Sequence, residues 1–420
     1  MRILLLTDIP PCKGFPAGLV LDQLCRFLPH DSIACVSVTY SGLNVRMSPD
    51  LQWIPIQYIR RPREVWPPIL PIPHRLKEAI HLRLYRYNEV AIRRIAAEAV
   101  EYGRAFRADT LWCTLEGQSL IRLAIPVAQG LGVPLLTEVF DPPTWELRAN
   151  SAHRLLKERL LNEFANAIRY SRMCATASWL MAEKYAHDYG ANTVAFLPSL
   201  EHRLARPPAK EMNSGKELII GLAGQVYATN EWKALVTALN AVDWKVGNRT
   251  VRIRLLGKYR KPLIANRTEC IEHLGWQTQE NTVKLLSEAD ILYCAYWLDP
   301  GFETEARLSF PSKLTTYLAA GRPVLFHGPE YASAAVFLKE NEAGFICNSN
   351  ESSCIIKALT TLATDTSLYS SLAQNGRIAF EKHLTSSSLR KNFATFLQIE
   401  ENSLVLTEQS IGSAPFGGIA

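Results

Sequence analysis

The chain has 420 residues, 48% hydrophobic and 20% charged, and a formal net charge of +6. That mix suits an ordinary soluble globular protein of two domains, and it excludes collagen, a coiled coil, extended disorder and a disulfide miniprotein. No apolar stretch reaches the ~18–20 uncharged residues of a membrane span, and the run Ile3–Leu6, stopped by Asp8, is too short for a secretory core and reads as a first strand.

In chain order the pattern alternates strand and helix. Strand Arg2–Thr7 leads to helix Ala17–Leu28, strand Ile33–Thr39, a long amphipathic helix Arg75–Tyr102 and strand Thr110–Thr114. Helix Gln118–Gln129, strand Pro134–Val139, helix Ala152–Arg169, strand Met173–Ala177, helix Ser178–Asp188 and strand Thr193–Leu197 follow. The polar stretch Pro198–Gly215, with Pro207, Pro208 and Gly215, breaks the rhythm and reads as a linker. A second series begins with strand Glu217–Ala223, Gly224 and a helix near Asn230–Leu239. Strands Val251–Leu256 and Cys270–Leu274, helix Gln279–Glu288, strand Ile291–Ala295, helix Ser312–Ala320, strand Val324–His327, helix Ala332–Lys339 and strand Gly344–Cys347 come next. Helices Ser352–Leu362, Ser367–Glu381 and Ser386–Gln398 close the fold.

Apolar strands separated by helices argue for parallel sheets covered on both faces. The expected fold class is therefore α/β, with two tandem Rossmann-like doubly wound domains and a cleft between them. The domains are expected at 1–198 and 217–384, joined by the linker 199–216. A C-terminal helix at 385–400 packs back toward the first domain, and the tail 401–420 is disordered.

The nine cysteines are scattered, with no C-x-x-C, and read as buried free thiols in a reducing compartment. There is no D-x-D and no His/Asp/Glu cluster at ligand spacing, so no metal is expected. The absence of G-x-G-x-x-G after Thr7 and of a Walker lysine disfavours a dehydrogenase and an NTPase. Charge is concentrated: from Arg60 to Arg107 there are eleven basic and five acidic residues, an excess equal to that of the whole chain. Beside this segment, Val65–Pro73 is an apolar, proline-stiffened loop carrying Trp66. A basic helix beside such a loop fits an anionic membrane surface, the alternative being a solvated helix face. Nucleic acid is not expected, for want of an aromatic platform.

The densest segment is FPSKLTTYLAAGRPVL, from Phe310 to Leu325. Pro311 suits a first turn, Ser309 or Ser312 a cap, and Gly321 a stop. The amides and dipole at Ser312–Lys313, with the Lys313 charge, favour a phosphate. This segment resembles the nucleotide-sugar signature of the large retaining glycosyltransferase superfamily with the GT-B fold, the family 4-like or "group 1" type. The resemblance extends in order to ILLLTDIPPCKGFPAG, RADTLWCT, LLTEVFDPPTW, LIIGLAGQVYATNEWKALVTAL and LGWQTQENTVKLLSEADILYCAY, some nine-tenths of the chain.

The resemblance implies a retaining, metal-independent glycosyltransferase of hexosyltransferase type. It would move a sugar from a UDP- or GDP-sugar to a glycan or lipid-linked acceptor in cell-surface polysaccharide synthesis. The enzyme would need no cofactor beyond its donor and would be cytoplasmic, or peripheral on the inner face of the plasma membrane. Three departures stand out: paired glutamates are replaced by Leu308 and Thr316, an Arg by Gln225 and a Lys by Asn230. Donor binding is expected from Gly14, Gly224, Gln225, Tyr227, Asn230, Arg307, Ser309, Phe310, Ser312, Lys313 and Thr316. Lys313 neutralises the leaving diphosphate, and Asp141 or Glu116, each after a strand, orients or deprotonates the acceptor hydroxyl. The alternatives are a degenerate binding or assembly protein on the same fold, or a nucleotide-sugar epimerase.

Overall fold

The computed structural model describes residues 1–40, 43, 45–64, 73–144, 147, 154–257 and 268–406. The loop from Val65, the start of the helix expected at Ala152 and the tail beyond residue 406 lie outside them. The chain forms two compact units, Met1–Phe196 with the chain from Arg390 onward, and Leu197–Leu389.

Unit 1 is a parallel sheet of strands β1 (Ile3–Thr7), β2 (Ile33–Thr39), β3 (Ile56–Arg60), β4 (Thr110–Thr114), β5 (Leu135–Val139), β6 (Met173–Thr176) and β7 (Thr193–Ala195). Its order is β3-β2-β1-β4-β5-β6-β7, with Ile3 beside both Ile33 and Thr110. Every residue of β1, β4 and β5 is buried, because helices α1 (Pro16–Cys25), α2 (His74–Phe106), α3 (Gly117–Leu131), α4 (Arg154–Tyr170) and α5 (Trp179–Tyr189) cover the faces. Strand β3 was missed by the sequence reading, because Ile-Gln-Tyr-Ile-Arg alternates, half-exposed, at a sheet edge.

Unit 2 repeats the design with β8 (Glu217–Ala223), β9 (Lys245–Val246), β10 (Arg249–Leu256), β11 (Ile271–Gly275), β12 (Ile291–Ala295), β13 (Val324–His327) and β14 (Gly344–Cys347). The order is β11-β10-β8-β12-β13-β14, all parallel, with the two-residue β9 antiparallel to β10. Helices α6 (Thr229–Ala241), α7 (Gln279–Ser287), α8 (Glu303–Leu308), α9 (Lys313–Ala319), α10 (Ser333–Glu340), α11 (Ser352–Thr364) and α12 (Thr366–His383) belong to it. Helix α13 (Ser386–Leu397) contains the division between the units, and its Phe393 and Phe396 pack on Trp112 and Phe196 of unit 1.

Order runs past Glu401, where disorder was expected. Glu401–Ser403 form a 3-10 turn tied to Arg390 at 3.0 Å, Leu404 is buried, and the Val405 amide donates to the Phe27 carbonyl at 2.7 Å. All nine cysteines are free, and only Cys354, on α11, is exposed. Among the described residues no helix is long and apolar enough to cross a membrane.

Candidate functional site

In each sheet the strand order reverses beside the first strand, between β1 and β4 in unit 1 and between β8 and β12 in unit 2. Ligands of doubly wound sheets bind beyond the carboxyl ends at such points. The two edges are built differently.

In unit 2, β8 ends at Ala223 and turns at Gly224, whose φ of +77° is open to glycine at no steric cost. The Gly224 amide donates to the Leu256 carbonyl at 2.8 Å. Buried Tyr317 pins α9 to this turn, its hydroxyl accepting from the Ala223 amide at 2.9 Å. Helix α9 has only seven residues. Ser312 occupies its N-cap with helical φ and ψ and makes no side-chain cap, so the expected serine cap is not formed. The Ser309 carbonyl instead accepts from the hydroxyls of Tyr296 and Ser333, which fixes the chain leading into α9.

Lys313 follows directly. Its ammonium donates to the Gln225 carbonyl at 2.8 Å and sits 4.5 Å from the centre of the Tyr227 ring. Its Cε lies 3.9 Å from where a Cβ on Gly224 would stand. Burial holds its pKa below the usual lysine value. No carboxylate among the described residues pairs with it. The structure thus brings Gly224, Gln225, Tyr227 and Lys313 together.

The other donor-side candidates are dispersed around this group. Phe310 is buried edge-on to Phe337 at 5.6 Å, so its ring serves the core. Arg307 is engaged with Glu303 at 2.9 Å and lies over the Tyr331 ring at 4.6 Å. Asn230 and Ser312 are exposed and Thr316 is half-buried. His327 is buried between the Tyr293 hydroxyl (2.7 Å) and the Ser349 carbonyl (2.9 Å). Burial lowers its pKa to about 4 and keeps it neutral.

Unit 1 presents the remaining candidates. A Cβ on Gly14 would meet nothing within 4 Å. Asp141 is exposed just beyond β5. Glu116 is the N-cap of α3 without capping it through its side chain. That work falls to Glu64, which was not anticipated. Its buried carboxylate accepts from the Gln118 and Ser119 amides at 3.1 and 2.8 Å. The same carboxylate takes a two-pronged bond from buried Arg61 at 2.9 and 2.8 Å. Arg61 also reaches Asp8 at 3.4 Å and the Glu116 carbonyl at 3.4 Å. Burial alone would lower the Arg61 pKa, but Glu64 raises it, whereas burial raises that of Asp8. Gly117, at φ +70°, leaves a Cβ only 1.6 Å from the Arg61 guanidinium, so any other residue there would push Arg61 off Glu64. Proximity across 54 residues carries no local sequence signal. Among the described residues no cluster of His, Cys, Asp or Glu could hold a metal ion.

Residues 217–365, most of unit 2, match the family described as Glycosyl transferases group 1. No curated protein matches the chain in sequence. Among solved structures, HepE of Anabaena in complex with UDP is similar, with TM-score 0.63 and 15% identity over 95% of this chain and 100% of that one. Sucrose-phosphate synthase of Thermosynechococcus elongatus has TM-score 0.63 and 12% identity, over 95% and 98%. A UDP-forming α,α-trehalose-phosphate synthase of Burkholderia xenovorans, in complex with glucose-6-phosphate, has TM-score 0.61 and 12% identity, over 94% and 100%. At these identities the likeness establishes the GT-B fold.

Proposed function

We propose that this chain, a glycosyltransferase carrying a group 1 domain on the GT-B fold, takes a nucleoside-diphosphate sugar as donor and transfers the sugar with retention and without a metal. The observation that carries this reading is Lys313. Its ammonium is partly desolvated, held by one carbonyl and one ring, and set at the switch point of the sheet. A half-buried cation with no carboxylate partner among the described residues is neutralised only weakly, and a diphosphate would supply the missing charge. As the leaving group gains charge, Lys313 stabilises it, while Gly224 lets the backbone approach closely. Gln225, Asn230 and Thr316 supply neutral hydrogen bonds to the nucleotide in place of charged grips. The similar HepE structures contain UDP, and one contains UDP-glucose, which supports a uridine donor as the first choice.

On unit 1, Asp141 or Glu116 orients the acceptor hydroxyl. The acceptor is a glycan or a lipid-linked saccharide of a cell-surface polysaccharide, reached at an anionic membrane face. The support for the membrane is α2. Arg75, Arg83, Arg86, Arg93, Arg94 and Arg104 are exposed along it, with Tyr87 79% and Val90 77% exposed between them. Vesicles containing an anionic lipid would sediment the protein at low ionic strength and release it as salt rises.

The decisive test is turnover over a panel of UDP- and GDP-sugars, with thermal shift by UDP and GDP. We expect stabilisation by one diphosphate and release of that diphosphate from its sugar. Silence throughout the panel would leave the fold without this activity and favour the binding-protein reading. Product formation without an acceptor would favour an epimerase.

A further inference from the structure

Beside Lys313 runs a row of aromatic side chains of which only Tyr227 has so far been given a role. Tyr227, under the Lys313 ammonium, lies 4.9 Å from Trp297 between ring centres. Trp297 stacks on Phe302 at 5.2 Å and 12°. Buried Tyr296 backs the row, 5.0 Å from Trp297 and 6.1 Å from Tyr227. Tyr227, Trp297 and Phe302 are each half-buried, so all three retain surface toward solvent.

The row is held rigidly. The carboxylate of Glu231, buried in the first turn of α6, accepts from the Leu298 amide at 2.9 Å and fixes the residue after Trp297. Asp299 accepts from the Gly301 amide at 2.8 Å and caps the 3-10 turn Pro300–Phe302, which sets Phe302. Locked side chains on supported backbone are what a selective subsite requires. Exposed Asp299 and Glu303 flank the Phe302 end. Glu303 shares its charge with Arg307 at 2.9 Å and Asp299 keeps this end acidic, so a bound diphosphate belongs at Lys313 and the neutral part of the ligand along the row. Aromatic faces match the C–H face of a pyranose, and carboxylates accept from its neighbouring hydroxyls. A nucleobase stacked on the same row would be shared by the bare diphosphate and the sugar nucleotide, which the titration below separates.

We infer that Tyr227, Trp297 and Phe302 form the wall against which the donor's sugar ring lies, with Trp297 the residue that sets sugar preference and Glu303 accepting from sugar hydroxyls. This rests on the nucleotide-sugar reading of the same site.

The test is calorimetric titration of the full-length protein with UDP and UDP-glucose, and with GDP and GDP-mannose. The quantity read is the ratio of the two dissociation constants within each pair. Trp297→Ala should weaken the sugar-bearing ligand by about tenfold while the bare diphosphate changes less than about twofold. Trp297→Phe should restore most of the ratio, and Glu303→Gln should weaken only the sugar-bearing ligand, by a few-fold. Near-UV circular dichroism and Tm confirm folding, and Phe302→Leu is the second wall variant should Trp297→Ala fail to fold. A ratio unmoved by the wall variants, an equal loss for both ligands, or a wild type that binds the diphosphate but neither sugar nucleotide overturns the wall alone. A wild type that binds no diphosphate overturns the functional reading and the wall with it.

Discussion

The two sheet edges use charge in opposite ways. At the edge of unit 1, Arg61, Glu64 and Asp8 are spent on one another and on the start of α3. At the edge of unit 2, Lys313 faces a carbonyl and a ring. The first arrangement is complete without a ligand and serves the fold. The second pairs a lysine ammonium with neutral groups, which is where the proposed diphosphate would bind. A charged residue at a switch point is therefore informative only once its partners are known.

This contrast predicts where each substitution acts. The largest effect is expected for Arg61→Met, which strands the buried Glu64 carboxylate and should cost about 3–5 kcal/mol in a urea unfolding curve. Lys313→Met should instead leave Tm unchanged or higher while lowering turnover by ~100–1000-fold, the scale of losing one transition-state charge partner. If Lys313→Met unfolds the protein and Arg61→Met silences it while folded, the assignment of the two edges is reversed.

Acid and base should separate the units next. In unit 2, burial lowers His327 to about 4 from 6.5, so the unfolded chain binds the extra proton and stability is lost as pH falls from 6.5 toward 4. In unit 1, burial raises Glu138 to about 8 from 4.5, with Trp112 donating to it at 3.0 Å. There the folded chain holds the extra proton, so stability is lost as pH rises from 4.5 toward 8. The His327 limb is worth roughly 3 kcal/mol and the Glu138 limb roughly 5 kcal/mol, each spread over the pH range just given. Thermal scans across pH should show Glu138→Gln flattening the alkaline limb and His327→Asn the acid limb. A limb that survives its own substitution belongs to another group. The smallest effect is expected for Tyr317→Phe, which leaves the buried Ala223 amide short of a partner and should cost about 1–2 kcal/mol.

Much of this was legible before the structure. The alternation of apolar strands and helices specified both parallel sheets, because strands buried on both faces must be apolar throughout. Strand β3 escaped because an edge strand can be half polar, and β9 because two residues carry no period. At the site, Lys313 and Gly224 stood out through residue type and position. Glu64, Glu231, Trp297 and Phe302 did not, although Tyr227 did. Their roles come from contacts made across tens of residues, and a tryptophan in a loop looks the same in sequence whether it fills space or faces a ligand.

The distribution of thiols gives the molecule a built-in counter. Cys12, Cys25, Cys35, Cys113 and Cys174 are sealed in unit 1 and Cys270, Cys294 and Cys347 in unit 2, while Cys354 alone faces water. A maleimide added to the native protein should label one sulfur quickly. Later additions of five or of three then report, by mass alone, which half of the molecule has opened.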